Sequence, residues 1–266
     1  MKDLYPTRKK REGRFIERSC PVSFTENYQY YTDNGFMVIR NFFSNDLVNS
    51  LIEHDYKGMI TMEPESNTVR AISGFHKNMP VIETKELISI VSEILGGGFY
   101  VHQSRINYKK SLSGSGWSWH SDFETWHSQD GMPLMRCLTA MIPLTENVEC
   151  NGSLMVIPKS HKLFYSCPKG KNSGAKNEFA DQKEGVPTND AIKGFFDNSK
   201  DEIIMIKCSP GDLVLFDCNI MHVSTSNMSS KDRCNMFMVY NSVENLLINP
   251  TRPEELGSSS IHKVFV

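Results

Sequence analysis

His120, Asp122 and His222 are the three side chains whose types and spacing predict metal chemistry. One residue separates His120 from Asp122, and His222 follows 100 positions after Asp122 (222 − 122). Two imidazoles and one carboxylate can bind Fe(II) on one face of its coordination sphere and leave the opposite face open. The trio therefore predicts a catalytic iron centre with room for further ligands.

Arg233 lies eleven residues after His222, at a place suited to binding an acidic cosubstrate. Its planar guanidinium carries a permanent charge and can make paired hydrogen bonds to a carboxylate. We expect 2-oxoglutarate to take two open iron positions and O2 the third, with Arg233 and Ser224 binding the distal carboxylate. The alternative role for Arg233 is a surface ion pair with the adjacent Asp232. The combination favours an Fe(II)- and 2-oxoglutarate-dependent oxygenase.

A strand is the element we expect to carry the first two ligands. Residues i and i+2 of a strand point to the same side, so a strand over 117–123 would direct His120 and Asp122 to one point. His222 lies in a second strand-like run, 220–224. Strands distant in sequence become neighbours in a jelly roll, so the long separation is compatible with one site.

Short strands separated by Gly and Pro follow two amphipathic helices. This order is typical of a mainly β protein, here a double-stranded β-helix (jelly roll, cupin-like) with flanking α-helices. The helices are expected to begin near Ser44 and Thr84. The predicted strands are 36–39, 99–109, 117–123, 134–143, 153–157, 203–207, 212–217, 220–224 and 233–241.

The chain divides into a basic arm, residues 1–24, and a single domain, residues 25–266. The arm carries seven Lys and Arg residues with few large apolar side chains, and we expect it to be a solvated tail. Residues 167–201 are rich in Lys, Gly, Asn and Asp. They predict an insertion loop or lid with a short helix near 189–197.

The composition of the chain bears on its expected binding partners and its location. The 266 residues are 39% hydrophobic and carry a net charge of −2, which gives no reason to expect nucleic acid. No apolar run approaches the roughly 18 residues of a membrane span, and no secretion signal is seen. We expect a cytoplasmic protein. Seven cysteines without a Cys-x-x-Cys pair predict reduced thiols rather than a disulfide framework or a zinc ribbon.

Several longer motifs resemble one enzyme family. They are Trp119-His120-Ser121-Asp122-Phe123-Glu124-Thr125-Trp126-His127, Asp130-Gly131-Met132-Pro133, His102-Gln103-Ser104-Arg105-Ile106-Asn107 and Phe237-Met238-Val239-Tyr240-Asn241-Ser242. Together they are similar to the ectoine hydroxylases, which belong to the phytanoyl-CoA dioxygenase-like branch of the iron and 2-oxoglutarate oxygenases. The resemblance covers most of the chain.

The resemblance implies a role for each matching residue. His120, Asp122 and His222 match the iron ligands. The positions that bind 2-oxoglutarate match Asn107, Ser224 and Arg233, and Trp117 stands where the family usually has a Phe beside the cosubstrate. The positions that line the substrate pocket match Gln103, Arg105, Thr125, Trp126, Phe216 and Phe237, with Thr139 in place of a Ser. A small zwitterion would suit them, because Arg105 or Gln103 can bind a carboxylate and aromatic faces can hold a cation.

Three functions remain open at this point. The first is hydroxylation of ectoine to 5-hydroxyectoine, with succinate and CO2 as co-products. A second is hydroxylation of another small amino acid, such as proline or pipecolate, on the same scaffold. A third is a jelly-roll protein without catalysis that binds a metal or a small ligand, which the intact trio and Arg233 disfavour. The resemblance also implies a homodimer.

Overall fold

The computed structural model describes residues 11–53, 68–72, 84–168, 185–200, 202–252 and 264–265. The strands within these ranges are β1 (Arg14–Glu17), β2 (Phe36–Ile39), β3 (Thr68–Ile72), β4 (Phe99–Lys109), β5 (Trp117–His120), β6 (Cys137–Pro143), β7 (Leu154–Val156), β8 (Leu163–Ser166), β9 (Ile204–Met205), β10 (Leu213–Asp217), β11 (His222–Ser224), β12 (Arg233–Ser242) and β13 (Val264–Phe265). The helices are α1 (Gln29–Asn34), α2 (Asn45–Glu53), α3 (Lys85–Leu95), α4 (Asp122–Thr125), a π-helix (Trp126–Asp130), a 3-10 turn (Ser160–Lys162) and α5 (Asn189–Ser199).

Two antiparallel sheets form the centre of the fold. The larger has the order β13-β4-β12-β6-β10-β2, with β3 also paired to β4, and the smaller has the order β5-β11-β7-β9. Strands far apart in sequence are neighbours in both sheets, as a jelly roll requires. One cavity is lined by residues of both sheets, so it lies between them. This arrangement confirms the predicted double-stranded β-helix.

Helices α1, α2 and α3 pack against the outer face of the larger sheet. Leu87 and Val91 of α3 share one hydrophobic cluster with Ile106 of β4, Ala140 of β6 and Met238 of β12. Successive strand residues point to opposite faces, so the neighbours of these apolar residues face the cavity instead. The flanking helices therefore fix the sheet from outside and leave its inner face for polar side chains.

The described part of the basic arm belongs to the folded domain. Strand β1 pairs with β8 from Arg14↔Ser166 to Glu17↔Leu163. The next residue, Arg18, has a side chain that is only 4% exposed and an ion pair with Asp217. The expectation of a solvated tail is wrong for this part, because backbone pairing and a buried ion pair outweigh its basic composition. Residues 1–10 lie outside the described ranges.

The predicted insertion contains the expected short helix, α5, while residues 169–184 and 201 lie outside the described ranges. The amphipathic helices and most predicted strands are found within a few residues of their expected bounds. Along the described parts of the chain, every helix is too short or too polar to cross a membrane. All seven cysteines are free thiols.

Candidate iron centre

The three predicted ligands converge in the structure. Each of His120, Asp122 and His222 is buried and offers one ligand atom, and these atoms all lie within 4.8 Å of one another. The imidazole rings of the two histidines have centroids 4.2 Å apart. Strand pairing explains the convergence, because β11 and β5 are antiparallel neighbours with His222 directly opposite His120.

Both imidazoles are oriented for metal binding by their own backbone. Nδ1 of His120 lies 2.7 Å from the carbonyl oxygen of Ser118, and Nδ1 of His222 lies 3.0 Å from that of Ile220. A hydrogen bond at Nδ1 fixes the ring and makes Nε2 the nitrogen that can serve as a metal ligand. Burial lowers the pKa of His222, which favours the neutral imidazole that a metal requires. The donor set and its orientation fit Fe(II).

Asp122 reaches the same point by a different route from the one predicted. Strand β5 ends at His120, and Asp122 is the first residue of α4. The backbone N–H of the next residue, Phe123, donates to the carbonyl oxygen of Cys218 at 2.8 Å and ties the start of this helix to the turn before β11. The expected strand over 117–123 is therefore confirmed only over Trp117–His120, and the expectation that it carries both ligands at i and i+2 is wrong. Asp122 is positioned by the start of a helix.

The wall facing the trio is built from two adjacent strands, β4 and β12. Their pairing places Arg233 opposite Lys109, Asn235 opposite Asn107, and Phe237 opposite Arg105. Because side chains alternate along a strand, each of these pairs lies on one face of the sheet. The wall thus changes from cationic at one end to amide-bearing and then aromatic at the other.

At the cationic end, Arg233 is buried and its hydrogen-bond partners are neutral amides. Its Nη2 donates to Oδ1 of Asn107 at 2.9 Å, and its Nη1 lies 2.7 Å from Asn235 when the Asn235 amide presents its oxygen. Among the residues that the structure describes, no carboxylate forms a salt bridge with Arg233, so the predicted alternative of a surface ion pair with Asp232 is wrong.

Lys109 is a second buried cation at this end, and it is completely inaccessible to solvent. Its Nζ donates to Oγ of Ser224 at 2.8 Å and to the carbonyl oxygen of Thr225 at 2.5 Å. Burial, with a smaller effect from Arg233, lowers the pKa of Lys109 to about 6. Burial likewise lowers the pKa of Arg233 to about 10. Both shifts would be reversed by an anion, because a nearby negative charge favours the protonated forms.

The other end of the wall carries Arg105 and aromatic rings. Nη2 of Arg105 lies 3.5 Å from Oδ2 of Asp122, and Nη1 donates to Oε1 of Gln103 at 3.0 Å. The guanidinium carbon of Arg105 is 5.3 Å from the centre of the Phe237 ring. Phe216 completes this end, with its ring 5.5 Å from that of His222. Arg105 therefore contacts both the metal ligand and the expected substrate region.

The cavity brings together most of the predicted binding residues. Its lining includes His120 and His222 and, of the predicted binding positions, Arg105, Asn107, Trp117, Phe216, Ser224, Arg233 and Phe237. Four other predicted positions are not part of this lining: Gln103, Thr125, Trp126 and Thr139. Trp126 is 2% exposed and packs with Phe123 and Cys137, and Thr139 is fully inaccessible. Their roles in substrate binding remain predictions.

The residues that were not predicted from the sequence include Asn235, Met141, Gly152 and Leu154, which line the cavity, and Lys109, which donates a hydrogen bond to the lining residue Ser224. For two of them, Lys109 and Asn235, the alternation of residues along a strand could have predicted a place on the face of the known site residues. Lys109 continues the alternation Gln103, Arg105, Asn107 along one face of β4, and Asn235 follows Arg233 by two residues. Nothing in the sequence indicated that Met141 would line the cavity, because an apolar residue in a strand predicts ordinary core packing.

A jelly roll that holds two histidines and one aspartate around a common point between its sheets is the architecture of a non-haem iron oxygenase. The sequence places the chain within that class. The family model for phytanoyl-CoA dioxygenase (PhyH) matches residues 31–235, and the chain belongs to this family.

Within this family, the chain is similar to curated ectoine dioxygenases and to solved structures of one of them. The chain is 37% identical to the ectoine dioxygenase of Bordetella parapertussis, and the match covers 98% of this chain and 94% of the relative. The crystal structure of EctD from S. alaskensis with bound Fe has a TM-score of 0.83 at 32% identity, covering 99% of this chain and 97% of that one. The structure of the same protein with 2-oxoglutarate and 5-hydroxyectoine gives 0.79 at 32% identity, covering 96% and 94%.

Proposed function

We propose that this chain is an Fe(II)- and 2-oxoglutarate-dependent dioxygenase that hydroxylates ectoine to 5-hydroxyectoine and releases succinate and CO2. One observation carries the proposal. The ligand atoms of His120, Asp122 and His222 lie within 4.8 Å of one another, and both histidines line the same cavity as Arg233, a buried cation that has no carboxylate partner among the described residues. An anionic cosubstrate supplies that partner. The name of the relatives and the product bound in one of the solved structures support ectoine as the substrate.

The three ligands would hold iron through Nε2 of His120, Nε2 of His222 and the carboxylate of Asp122. Bound Fe(II), together with 2-oxoglutarate and O2, supplies the oxidising chemistry, in which one oxygen atom enters a C–H bond of the substrate and the other enters succinate. The protein's own task is to bind, orient and shield the reactants.

The cationic end of the wall would bind the distal carboxylate of 2-oxoglutarate. Arg233 has hydrogen-bonding capacity left there, since its Nε is buried without a partner. Ser224 accepts a hydrogen bond from Lys109, which leaves its own hydroxyl hydrogen for donation. Two cations and one hydroxyl thus converge where a carboxylate would be desolvated. Charge-assisted hydrogen bonds of this kind are stronger than neutral ones.

The aromatic end would receive ectoine. The substrate has a carboxylate and a cationic amidinium ring, and this end offers Arg105 for the first and the faces of Phe216 and Phe237 for the second. Arg105 also contacts Asp122, so a substrate carboxylate bound by Arg105 is placed close to the iron ligands. The remaining predicted substrate positions, Gln103, Thr125, Trp126 and Thr139, would support this end without lining the cavity.

Succinate formation tests the proposal directly. Purified protein with Fe(II) and 2-oxoglutarate should form succinate in an ectoine-dependent manner, and mass spectrometry should show a product heavier by one oxygen atom. Proline, pipecolate and lysine serve as competing substrates. Turnover with proline alone would rule out ectoine. The absence of turnover with any of them would favour a binding protein.

Asp122→Ala should abolish this turnover, because it removes the one anionic ligand of the triad. Asp46→Ala is the matched control, since Asp46 is an exposed acid in the first turn of α2. Full activity of the Asp122→Ala protein, with the control behaving as wild type, would contradict the assigned triad.

A further inference from the structure

The helical segment Asp122–Asp130 carries a metal ligand at one end and a second buried acid at the other. It consists of α4 and the π-helix that follows it. The two parts meet at Trp126, whose backbone N–H donates to the carbonyl oxygen of Asp122 and whose own carbonyl oxygen accepts from Met132 at 3.1 Å. A displacement of the far end is therefore passed through Trp126 to the backbone of the ligand.

The far end is held by residues 248–252 of the C-terminal region. The backbone N–H of Ile248 donates to the carbonyl oxygen of Gly131 at 3.0 Å. Thr251 donates twice to the carbonyl oxygen of Gln129, from its backbone N–H and from Oγ1, each at 2.8 Å. These three bonds meet the segment at the point where its wide turn ends. π-helical turns are rare and need support of this kind.

An ion pair completes the attachment. Nε of Arg252 donates to Oδ1 of Asp130 at 2.6 Å, and Nη2 donates to Oδ2 of the same carboxylate. Asp130 is 1% exposed. Although burial alone would raise the pKa of Asp130, the hydrogen bonds from Arg252 and the close approach of His102 lower it, which favours the charged carboxylate. A buried charge of this kind requires its partner.

His102 links the ion pair to Trp126. It is completely inaccessible, and its Nε2 lies 3.3 Å from Oδ2 of Asp130. Its ring meets that of Trp126 edge to face at 5.3 Å. Burial lowers the pKa of His102, which favours a neutral imidazole, so Arg252 is the permanent positive charge against Asp130.

We propose that Arg252 is a positioning residue for the iron ligand Asp122. It acts through Asp130, and it holds the helical segment Asp122–Asp130 in the one position from which the Asp122 carboxylate meets His120 and His222. This inference rests on the iron site of the proposed function, but it does not depend on ectoine being the substrate. Its consequence is a metal affinity that depends on a residue 130 positions away in sequence (252 − 122).

Metal affinity is the measurement that tests it. Mn(II) serves as a probe that is stable in air, and the electron paramagnetic resonance signal of the free ion reports the bound fraction. Arg252→Gln should bind Mn(II) about 10-fold more weakly, the lower end of the 10- to 100-fold range for groups that orient metal ligands. Arg252→Lys keeps the charge but loses the paired contact, and it should recover most of the affinity.

Arg40→Gln is the matched control. It removes another Arg–Asp contact, 2.7 Å from Asp212, in a side chain that is 56% exposed. Its Mn(II) affinity should equal that of the wild type. All titrations are made at a temperature at which circular dichroism shows each protein to be folded. If Arg252→Gln does not fold, Arg252→Lys decides the question: its Mn(II) affinity should be measurably below that of the wild type, and an affinity equal to that of Arg40→Gln would overturn the proposal.

The outcomes separate the two proposals. Wild-type protein that binds Mn(II) together with an Arg252→Gln protein of equal affinity would overturn the positioning role alone. Equal losses in Arg252→Gln and Arg40→Gln would overturn it as well, because they would show a general effect of stability. A wild-type protein that binds no metal would overturn both the iron site and this inference.

Discussion

Two buried arginines of this protein, Arg18 and Arg233, have opposite surroundings. Arg18 donates to Oδ2 of Asp217 at 2.8 Å and to the carbonyl oxygens of Cys20 and Met135. Arg233 has the amide of Asn107 and no salt-bridge partner among the described residues. A guanidinium that is fully satisfied by the fold stabilises it. A guanidinium such as that of Arg233, which is buried among neutral hydrogen-bond partners, can bind an anionic ligand.

The pKa values of the two side chains differ in the same sense. Burial alone would lower the pKa of Arg18, but Asp217 more than compensates and raises it above its ordinary value. Burial lowers the pKa of Arg233 to about 10. Folding therefore stabilises the charge of Arg18 and destabilises that of Arg233. For Arg233, this unfavourable free energy of burying the charge is offset only when an anion binds.

Arg18→Ala tests the structural half of the comparison. The substitution leaves the carboxylate of Asp217 buried and unpaired, and loss of one partner of a buried pair costs about 3–5 kcal/mol. Denaturant titration should show a decrease of that size in the free energy of unfolding. Arg40→Ala removes a side chain that is 56% exposed from its contact with Asp212, which keeps its backbone hydrogen bonds from Asn41 and Ser209, and should lose less than about 1 kcal/mol. Equal stability of the Arg18→Ala protein and the wild type would show that Asp217 is satisfied without Arg18.

Asn107→Asp should make the surroundings of Arg233 resemble those of Arg18. The change places a carboxylate within hydrogen-bond distance of Arg233 with almost no change in shape. The new negative charge would repel 2-oxoglutarate, and like charges in contact cost several kcal/mol. The KM for 2-oxoglutarate should rise by at least 10-fold while the melting temperature stays the same or rises.

Asn241→Asp is the control for that experiment, since Asn241 is also buried, lies on β12 and contacts Tyr100 and Asn245 instead of Arg233. It should lower the melting temperature and leave the KM for 2-oxoglutarate unchanged. An Asn107→Asp protein with the wild-type KM would show that Arg233 does not bind the cosubstrate.

Arg233→Ala removes the cation itself. Loss of a hydrogen bond to a charged group costs about 1.5–3 kcal/mol. Since each 1.4 kcal/mol is a factor of ten, the KM for 2-oxoglutarate should rise about 10- to 150-fold. In contrast to Arg18→Ala, the free energy of unfolding of the ligand-free protein should not fall. An unchanged 2-oxoglutarate requirement would assign the anchoring role to another residue.

The iron ligands could be predicted from the sequence because their chemical types are rare in this combination. Their local geometry was predicted only in part. His120 and His222 lie on paired strands, as expected, but Asp122 begins a helix. The strand pattern of Trp117–His120 gave no sign of where the strand would end. That end is set by a tertiary hydrogen bond from Phe123 to Cys218, which no local pattern encodes.

Arg18 and Arg233 also show that local sequence patterns do not predict tertiary contacts. Arg233 was recognised by its distance from His222, whereas Arg18 was assigned to a solvated tail because the neighbouring sequence is basic. Its partner Asp217 is 199 residues away, and such a contact depends on the pairing of β1 with β8. Lys109 was missed although it continues the alternation of Arg105 and Asn107, because a lysine at the end of a strand is usually exposed.

Lys109→Met is the smallest of the expected changes, and its effect on stability depends on pH. Burial lowers the pKa of Lys109 to about 6 in the folded protein, against an ordinary lysine value of 10.5. Below pH 6 the side chain is charged in both the folded and unfolded states, so its destabilising effect is complete. As the pH rises from 6 to 10.5, the folded state gives up the proton before the unfolded state, and the penalty disappears.

The ligand-free Lys109→Met protein should therefore be more stable than the wild type at neutral pH. The gain should be about 1 kcal/mol, because the lost hydrogen bonds to Ser224 and Thr225 offset much of the relief from burying a cation. Denaturant titrations from pH 6 to 10 should show this difference shrinking as the pH rises. The same protein should need more 2-oxoglutarate. A less stable variant with a normal 2-oxoglutarate requirement would place Lys109 with Arg18, among the cations that the fold itself satisfies.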